Sequence, residues 1–266
     1  MTSNSQKFHL VDAFTDRAFA GNPAAVYVFQ SWPANERMQH IAREMNQAET
    51  AFLVRNSDGF DLRWFTPAAE VDLCGHATLA SAHALWEQGL ADANVEIRFS
   101  SRSGILKAAR RGDLIELDFP VKPEQAAEPP ADLLAALGEA AVYVGRNQFD
   151  YLVAVKSETA LRNLRPDIKR LSTLPVRGVI VTSRSDNPSY DFVSRFFAPA
   201  VGVDEDPVTG SAHCCLADYW RKQLGKTEFL AFQASARGGV VRIRVVGDRV
   251  FLGGKAVTVA RGELVA

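Results

Sequence analysis

At 266 residues the chain has the length of one or two domains. Its 47% hydrophobic and 23% charged residues are those of a folded globular protein. A net charge of −1 gives no electrostatic footprint for nucleic acid or an anionic membrane. No stretch reaches the roughly 18 apolar residues of a membrane-crossing helix, and the opening Met-Thr-Ser-Asn-Ser-Gln lacks the apolar core of a signal peptide. The three cysteines include the adjacent pair Cys214-Cys215, which suggests no disulfide framework and points to a cytoplasmic, reducing setting.

In chain order, apolar runs predict strands at 8–14, 24–29, 50–54, 60–65, 95–99, 104–109 and 114–119, with a peripheral helix Asn35–Met45 after the second. Residues 75–88 form a helix that is Ala-rich and apolar nearly all round, which marks it as buried. The proline-bounded stretch 121–130 has linker composition. Beyond it, a helix is expected at Ala131–Leu137 and another near 158–164. Strands follow at 141–144, 151–155, 178–182, 190–196, 229–232, 240–245, 249–252 and 256–260, with a second buried helix at 211–224. Gly21-Asn22-Pro23, Asp58-Gly59, Gly112-Asp113, Asn187-Pro188 and Gly247-Asp248 supply the turns.

The chain repeats itself. Arg63-Trp64-Phe65-Thr66-Pro67 returns as Arg195-Phe196-Phe197-Ala198-Pro199, and each copy leads into a glycine-initiated helix. From there the register holds at 135 positions, pairing Gly75 with Gly210, Gly104 with Gly239, Gly112-Asp113 with Gly247-Asp248, and Leu117 with Leu252. The fold expected is therefore α+β, with two pseudo-symmetric domains (1–121 and 131–266, linker 122–130). Each would be a mixed, mostly antiparallel sheet wrapped around a central buried helix, and the last strand could cross to the first domain.

Gly75 and Gly210 open the two buried helices, whose first N–H groups lack internal partners and carry partial positive charge. Read singly, such a glycine only makes a turn; as a matched pair facing one cleft, they would grip a small carboxylate. The side chains around them differ. Glu49 precedes the apolar strand at 51–54 and has no acidic counterpart near Val176-Arg177-Gly178. A carboxylate desolvated there would rise in pKa toward the range useful for general acid–base work; its alternative is an exposed loop glutamate. His76 matches Ser211, and Asp206 falls in a three-residue insertion before the second helix, where acids usually cap or meet the dipole. Cys74 faces Thr209, so only one of two matching positions offers a thiol, against the two-thiol design of cofactor-free racemases. His83, His213, Cys214 and Cys215 read as core residues, and His9 and His40 as isolated. There is no Gly-x-Gly-x-x-Gly, P-loop, Cys-x-x-Cys, His-Glu-x-x-His or Gly-x-Ser-x-Gly, hence no argument for a nucleotide, a metal or an acyl-enzyme.

Together, Val11-Asp12-Ala13-Phe14, Phe19-Ala20-Gly21-Asn22-Pro23, Gln47-Ala48-Glu49-Thr50-Ala51-Phe52, Arg63-Trp64-Phe65-Thr66-Pro67, Asp72-Leu73-Cys74-Gly75-His76-Ala77-Thr78 and Glu205-Asp206-Pro207-Val208-Thr209-Gly210-Ser211 resemble the PhzF-like phenazine-biosynthesis isomerase family, which has the diaminopimelate-epimerase-like fold. The resemblance spans nearly the whole chain. It implies a cofactor-independent acid–base isomerase, a homodimer, acting on a small anionic metabolite. Glu49 would be the acid/base, His76, Asp206 and Ser211 its supporting groups, and Gly75, Gly210 and Asn22 would bind substrate. The alternatives are a cofactor-independent amino-acid racemase or epimerase, a non-catalytic small-molecule-binding protein, and a hydrolase using Ser211.

Overall fold

A computed structural model describes residues 5–265. The chain divides into two compact units, one running to Asp118 and resuming at Gly253, the other spanning Phe119–Leu252.

The first unit is built from β1 (Gln6–Ala13), β2 (Asn22–Phe29), α1 (Asn35–Met45), β3 (Glu49–Asn56), β4 (Gly59–Phe65), β5 (Glu70–Val71), α2 (Gly75–Glu87), β6 (Ile97–Ser101), β7 (Gly104–Arg111) and β8 (Leu114–Pro120). The second contains β9 (Gln125–Ala126), α3 (Ala131–Leu137), β10 (Ala141–Arg146), β11 (Asp150–Val155), α4 (Glu158–Asn163), α5 (Ile168–Leu171), β12 (Gly178–Arg184), β13 (Phe192–Phe197), α6 (Gly210–Leu224), β14 (Glu228–Gln233), β15 (Gly239–Val246) and most of β16 (Arg249–Gly254). β17 (Ala256–Leu264) then returns to the first unit and pairs antiparallel with β1.

The repeat is topological as well as textual. β1/β2 are antiparallel, β2/β3 parallel, β3/β4 antiparallel, β4/β6 parallel and β6/β7 antiparallel. The same alternation recurs through β10/β11, β11/β12, β12/β13, β13/β14 and β14/β15. The repeated arginine keeps its job too. Arg63 forks onto Glu70 with two bonds of 2.7 Å, and Arg195 onto Glu205 at 2.7 and 2.9 Å.

Parallel strands covered on both faces read as unbroken apolar runs, and β2 and β3 show why. Ala25, Tyr27 and Phe52 pack with Met38, Ile41 and Ala42 of α1. The alternate residues, Asn22, Ala24 and Val26 on β2 and Glu49, Ala51 and Leu53 on β3, point to the opposite face, where α2 lies, buried from His76 to Leu85 except for the half-buried His83. In the second unit Val153, Val179, Val181 and Val193 pack with Leu133, Leu137, Leu161 and Leu171 of α3, α4 and α5. On the opposite face Trp220 of α6 donates its indole N–H to Thr182 at 3.0 Å.

Three features differ from the sequence expectation. The stretch 121–130 is tied into the second unit: β9 pairs with β10, and Glu124, only 4% exposed, accepts from Tyr143 at 2.6 Å and Lys222 at 3.2 Å. Very short elements (β5, β9, α5 and a 3-10 turn at Pro199–Val201) carry too few residues to show a period. His9 is not isolated, because its Nε2 lies 3.9 Å from Glu87 of α2.

Candidate active site

Three loops of the first unit deliver their side chains to one spot. α1 stops at Asn46, which adopts the left-handed conformation (φ 49°) and donates its N–H to Ala42; asparagine tolerates that geometry. The chain then enters β3 with Glu49 as its first residue. Gly21 turns the chain into β2 at φ 64°, where a Cβ would strike the carbonyl oxygen of Ala13, so glycine sets where Asn22 begins. β2 and β3 pair in parallel with Ala24 opposite Glu49. Asn22 and Glu49 therefore sit at neighbouring strand ends on the face that meets α2. The third loop ends in Cys74, the N-cap of α2, whose side chain makes no capping bond; Gly75 and His76 are the first two helical residues.

His76 is the hub. Its Nδ1 lies 3.0 Å from the amide nitrogen of Asn22, its Nε2 lies 3.3 Å from Oε2 of Glu49, and Sγ of Cys74 is 3.5 Å from Nδ1 and 3.9 Å from Nε2. An amide N–H can only donate, so Nδ1 accepts and the ring proton sits on Nε2, opposite the carboxylate. Burial pushes the imidazole pKa down to about 3, keeping the ring neutral; the positive end of α2 acts in the same direction. The Glu49 side chain is 18% exposed, against 4% for His76. A half-buried carboxylate oxygen thus lies 3.3 Å from the protonated nitrogen of a neutral, buried imidazole.

In the second unit the corresponding helix start is arranged differently. Thr209 is the N-cap of α6, again without a side-chain capping bond. Its hydroxyl donates to Oδ2 of Asp206 at 2.5 Å, and its N–H donates to Oε1 of Gln233 at 2.9 Å. The Gln233 amide also donates to the Asp206 carbonyl at 2.7 Å. Asp206 therefore holds the residue before the helix rather than capping the helix itself. Gly210 and Ser211 open α6, and Ser211 is half-buried. His213 is fully buried, with Nδ1 2.8 Å from the Thr209 carbonyl. A carbonyl only accepts, so Nδ1 bears the proton, and burial lowers this pKa to about 4.

The structure thus gathers Glu49, His76, Asn22 and Gly75 into one cluster, and Asp206, Gly210 and Ser211 into another. Sequence reasoning missed two members. Gln233 closes an apolar strand and is fully buried; nothing in its neighbours marks it. Cys74 was weighed only as half of a thiol pair, yet its spacing of two from His76 across a helix start was a usable signal. His40 is exposed on α1, His83 bonds Thr258 at 3.1 Å, and Cys214 and Cys215 are core residues whose thiols burial pushes up to about 12.

The α+β unit, built twice around a buried helix, has counterparts among solved structures. The fold matches, with a TM-score of 0.65 at 10% identity over 99% of this chain and 93% of the other, a hydroxyproline epimerase from Agrobacterium vitis. A family profile described as PhzC-PhzF, phenazine biosynthesis-like protein, matches residues 11–262. An uncharacterized isomerase of Halalkalibacterium halodurans is 57% identical over 96% of this chain and 97% of its own length. A PhzF-family crystal structure from Enterococcus faecalis superposes with a TM-score of 0.93 at 41% identity, covering 98% of this chain and 99% of that one. The chain belongs to the PhzC-PhzF phenazine biosynthesis-like family and stands among its isomerases.

Proposed function

We propose that the chain is a cofactor-independent isomerase that moves a proton between two carbons of a small, unsaturated, carboxylate-bearing metabolite, with Glu49 as general base and then general acid. The observation that carries this reading is the 3.3 Å contact between Glu49 and the neutral, Asn22-anchored His76. A neutral imidazole orients the carboxylate without competing for the proton it handles. Glu49 takes a proton from one carbon, the electron pair spreads into the unsaturated system, and Glu49, after exchange of its acidic proton with solvent, returns a proton to a second carbon. Nothing is consumed, so the residues named suffice. Positioned general acid–base catalysis of this kind contributes about 10²- to 10⁴-fold.

In the first unit we assign the amide group at Gly75, at a helix start whose N-cap makes no side-chain bond, to an anionic group of the substrate; in the second unit Asp206, Ser211 and the Gly210 amide are the groups able to bind a polar or anionic ligand. Asn22 acts on substrate through His76, whose tautomer it fixes. The working assembly assigned is a homodimer, which sedimentation tests.

The deciding experiment is incubation with candidate unsaturated acids in D₂O, following carbon-bound deuterium and double-bond position by NMR. Isomerisation by the unaltered chain, lost in a folded Glu49→Gln variant, is the expected result. Turnover by Glu49→Gln at the unaltered rate would remove Glu49 from this role. Deuterium entering the α-carbon of an amino acid, with no double-bond shift, would favour an epimerase instead.

A further inference from the structure

We infer that the open edge of β17 is the surface on which a second copy of this chain docks, the two strands pairing antiparallel about a twofold axis at Gly262. β17 runs nine residues and takes β1 along one side. Its other side meets no strand among the described residues. Both edges of β2 are filled, by β1 and β3, and the single residue between β16 and β17 is too short for a hairpin. None of the nine residues of β17 is buried.

Folded proteins usually blunt such an edge with prolines, lysines or very short strands. The second unit does so. At the spacing of 135 the counterpart of β17 is 121–129, where Pro123 and Pro129 flank a strand β9 of only two residues, Gln125-Ala126. β17 has neither proline nor lysine, and its two charges, Arg261 and Glu263, are opposite in sign and two residues apart. That contrast marks β17 as an edge kept for a partner.

The side chains say which partner. In a twofold antiparallel pair, residues equally far from the axis stand opposite each other on the same face. With Gly262 on the axis, Arg261 meets Glu263 of the second copy, twice over, and Ala260 meets Leu264. An axis one residue away on either side sets Arg261 against its own copy or Glu263 against its own copy. The charges therefore select Gly262. Arg261 already bonds Glu87 through Nη2 at 2.6 Å, which steadies the guanidinium and leaves other N–H groups for a second carboxylate. On the other face the Phe8 ring covers Gly262, where a Cβ would come within 2.6 Å of it. Phe8, Leu10 and Leu264 are half-buried apolar residues there, and a docked copy removes more of their surface from water. The paired segment lies opposite Gln6–Leu10, at the other end of β1 from Ala13 and Asn22, so the docking edge is separate from the Glu49–His76 cluster.

This gives a face to the homodimer assigned above and rests on that assembly. Sedimentation velocity of the unaltered full chain at micromolar concentration should show a dimer. Glu263→Arg and Arg261→Glu, each made alone, set like charges against each other and should raise the dimer dissociation constant about a hundredfold or more. Both side chains are exposed, so each variant should keep the circular dichroism of the unaltered chain. Mixed one to one, the two variants present opposite charges at both contacts and should sediment as a dimer again. A monomeric unaltered chain, its edge left to some other strand, would overturn the homodimer and this face together. A dimer indifferent to both substitutions, or a mixture that stays monomeric, would overturn this face alone.

Discussion

The second helical residue is His76 in α2 and Ser211 in α6, and that difference sets what each helix start can do. The surroundings agree closely. Both N-cap residues are extended and make no capping bond with their side chains. Both also accept a back-bond four residues on, Thr78 reaching the Cys74 carbonyl at 2.5 Å and His213 the Thr209 carbonyl at 2.8 Å. What changes is the strand end beside the helix. β3 begins with Glu49, which meets the imidazole. β12 begins with Gly178, where a Cβ would come within 2.5 Å of the Phe196 ring, and the nearby acid Asp150 is neutralised by two bonds from Arg177. One helix start pairs a carboxylate with an imidazole; the other packs an aromatic ring there and places Thr209 between Asp206 and Gln233. Among the described residues the duplicated scaffold carries its carboxylate–imidazole pair at the α2 start and not at the α6 start.

Changing that pair should have the largest effect. Glu49→Gln keeps the bond geometry but cannot accept a proton from carbon, so isomerisation should fall by about 10²- to 10⁴-fold with unfolding unchanged, as kinetics and circular dichroism would show.

The histidines near the two helix starts come next. In the folded chain His76 and His213 are neutral, with pKa values of about 3 and about 4 against 6.5 when unfolded. A lowered histidine pKa means the unfolded chain binds the proton first. The stability contributed is therefore complete above about pH 6.5 and is lost as pH falls toward 4 and 3. Between pH 7 and 5 each should cost roughly 2 kcal/mol; urea midpoints measure it, and His213→Gln should flatten the slope by half if the comparison is sound.

Gly178→Ala presses a methyl group against Phe196 and should cost about 1–3 kcal/mol, read as a fall in Tm of about 2–4 °C per kcal/mol. A neutral result would mean that the glycine does not keep that strand end closed. Gln233→Leu, the smallest change, leaves the Thr209 N–H and the Asp206 carbonyl without their partner, at about 1–2 kcal/mol, and should raise KM more than it lowers kcat if Asp206 serves binding.

The helices Asn35–Met45 and Ala131–Leu137 have the bounds that their sequence pattern predicts, because amphipathic spacing and turn residues are local signals. Glu49 was legible as a carboxylate beside an apolar strand and Asn22 through the family resemblance alone, and the observed strands, which begin at these two residues, show why both meet α2. Strand alternation puts Glu49 on the face of Ala51 and Leu53, and Asn22 on the face of Ala24, so their approach to α2 follows from parity. Gln233 and the His9–Glu87 contact were not legible, since each depends on which distant strand or helix lies alongside. The roles at the helix starts divided the same way: glycines announce the turn, but only packing shows that Asp206 grips Thr209 rather than the helix.

The return of β17 to pair with β1 has a consequence for biogenesis. As the polypeptide leaves the ribosome, β1 emerges first, and its outer edge must wait for a partner made after the entire second unit. The later-made unit can fold before the earlier one is finished. In the interval the nascent chain shows an open strand edge, the kind of surface that chaperones cover and that pairs wrongly with neighbouring chains.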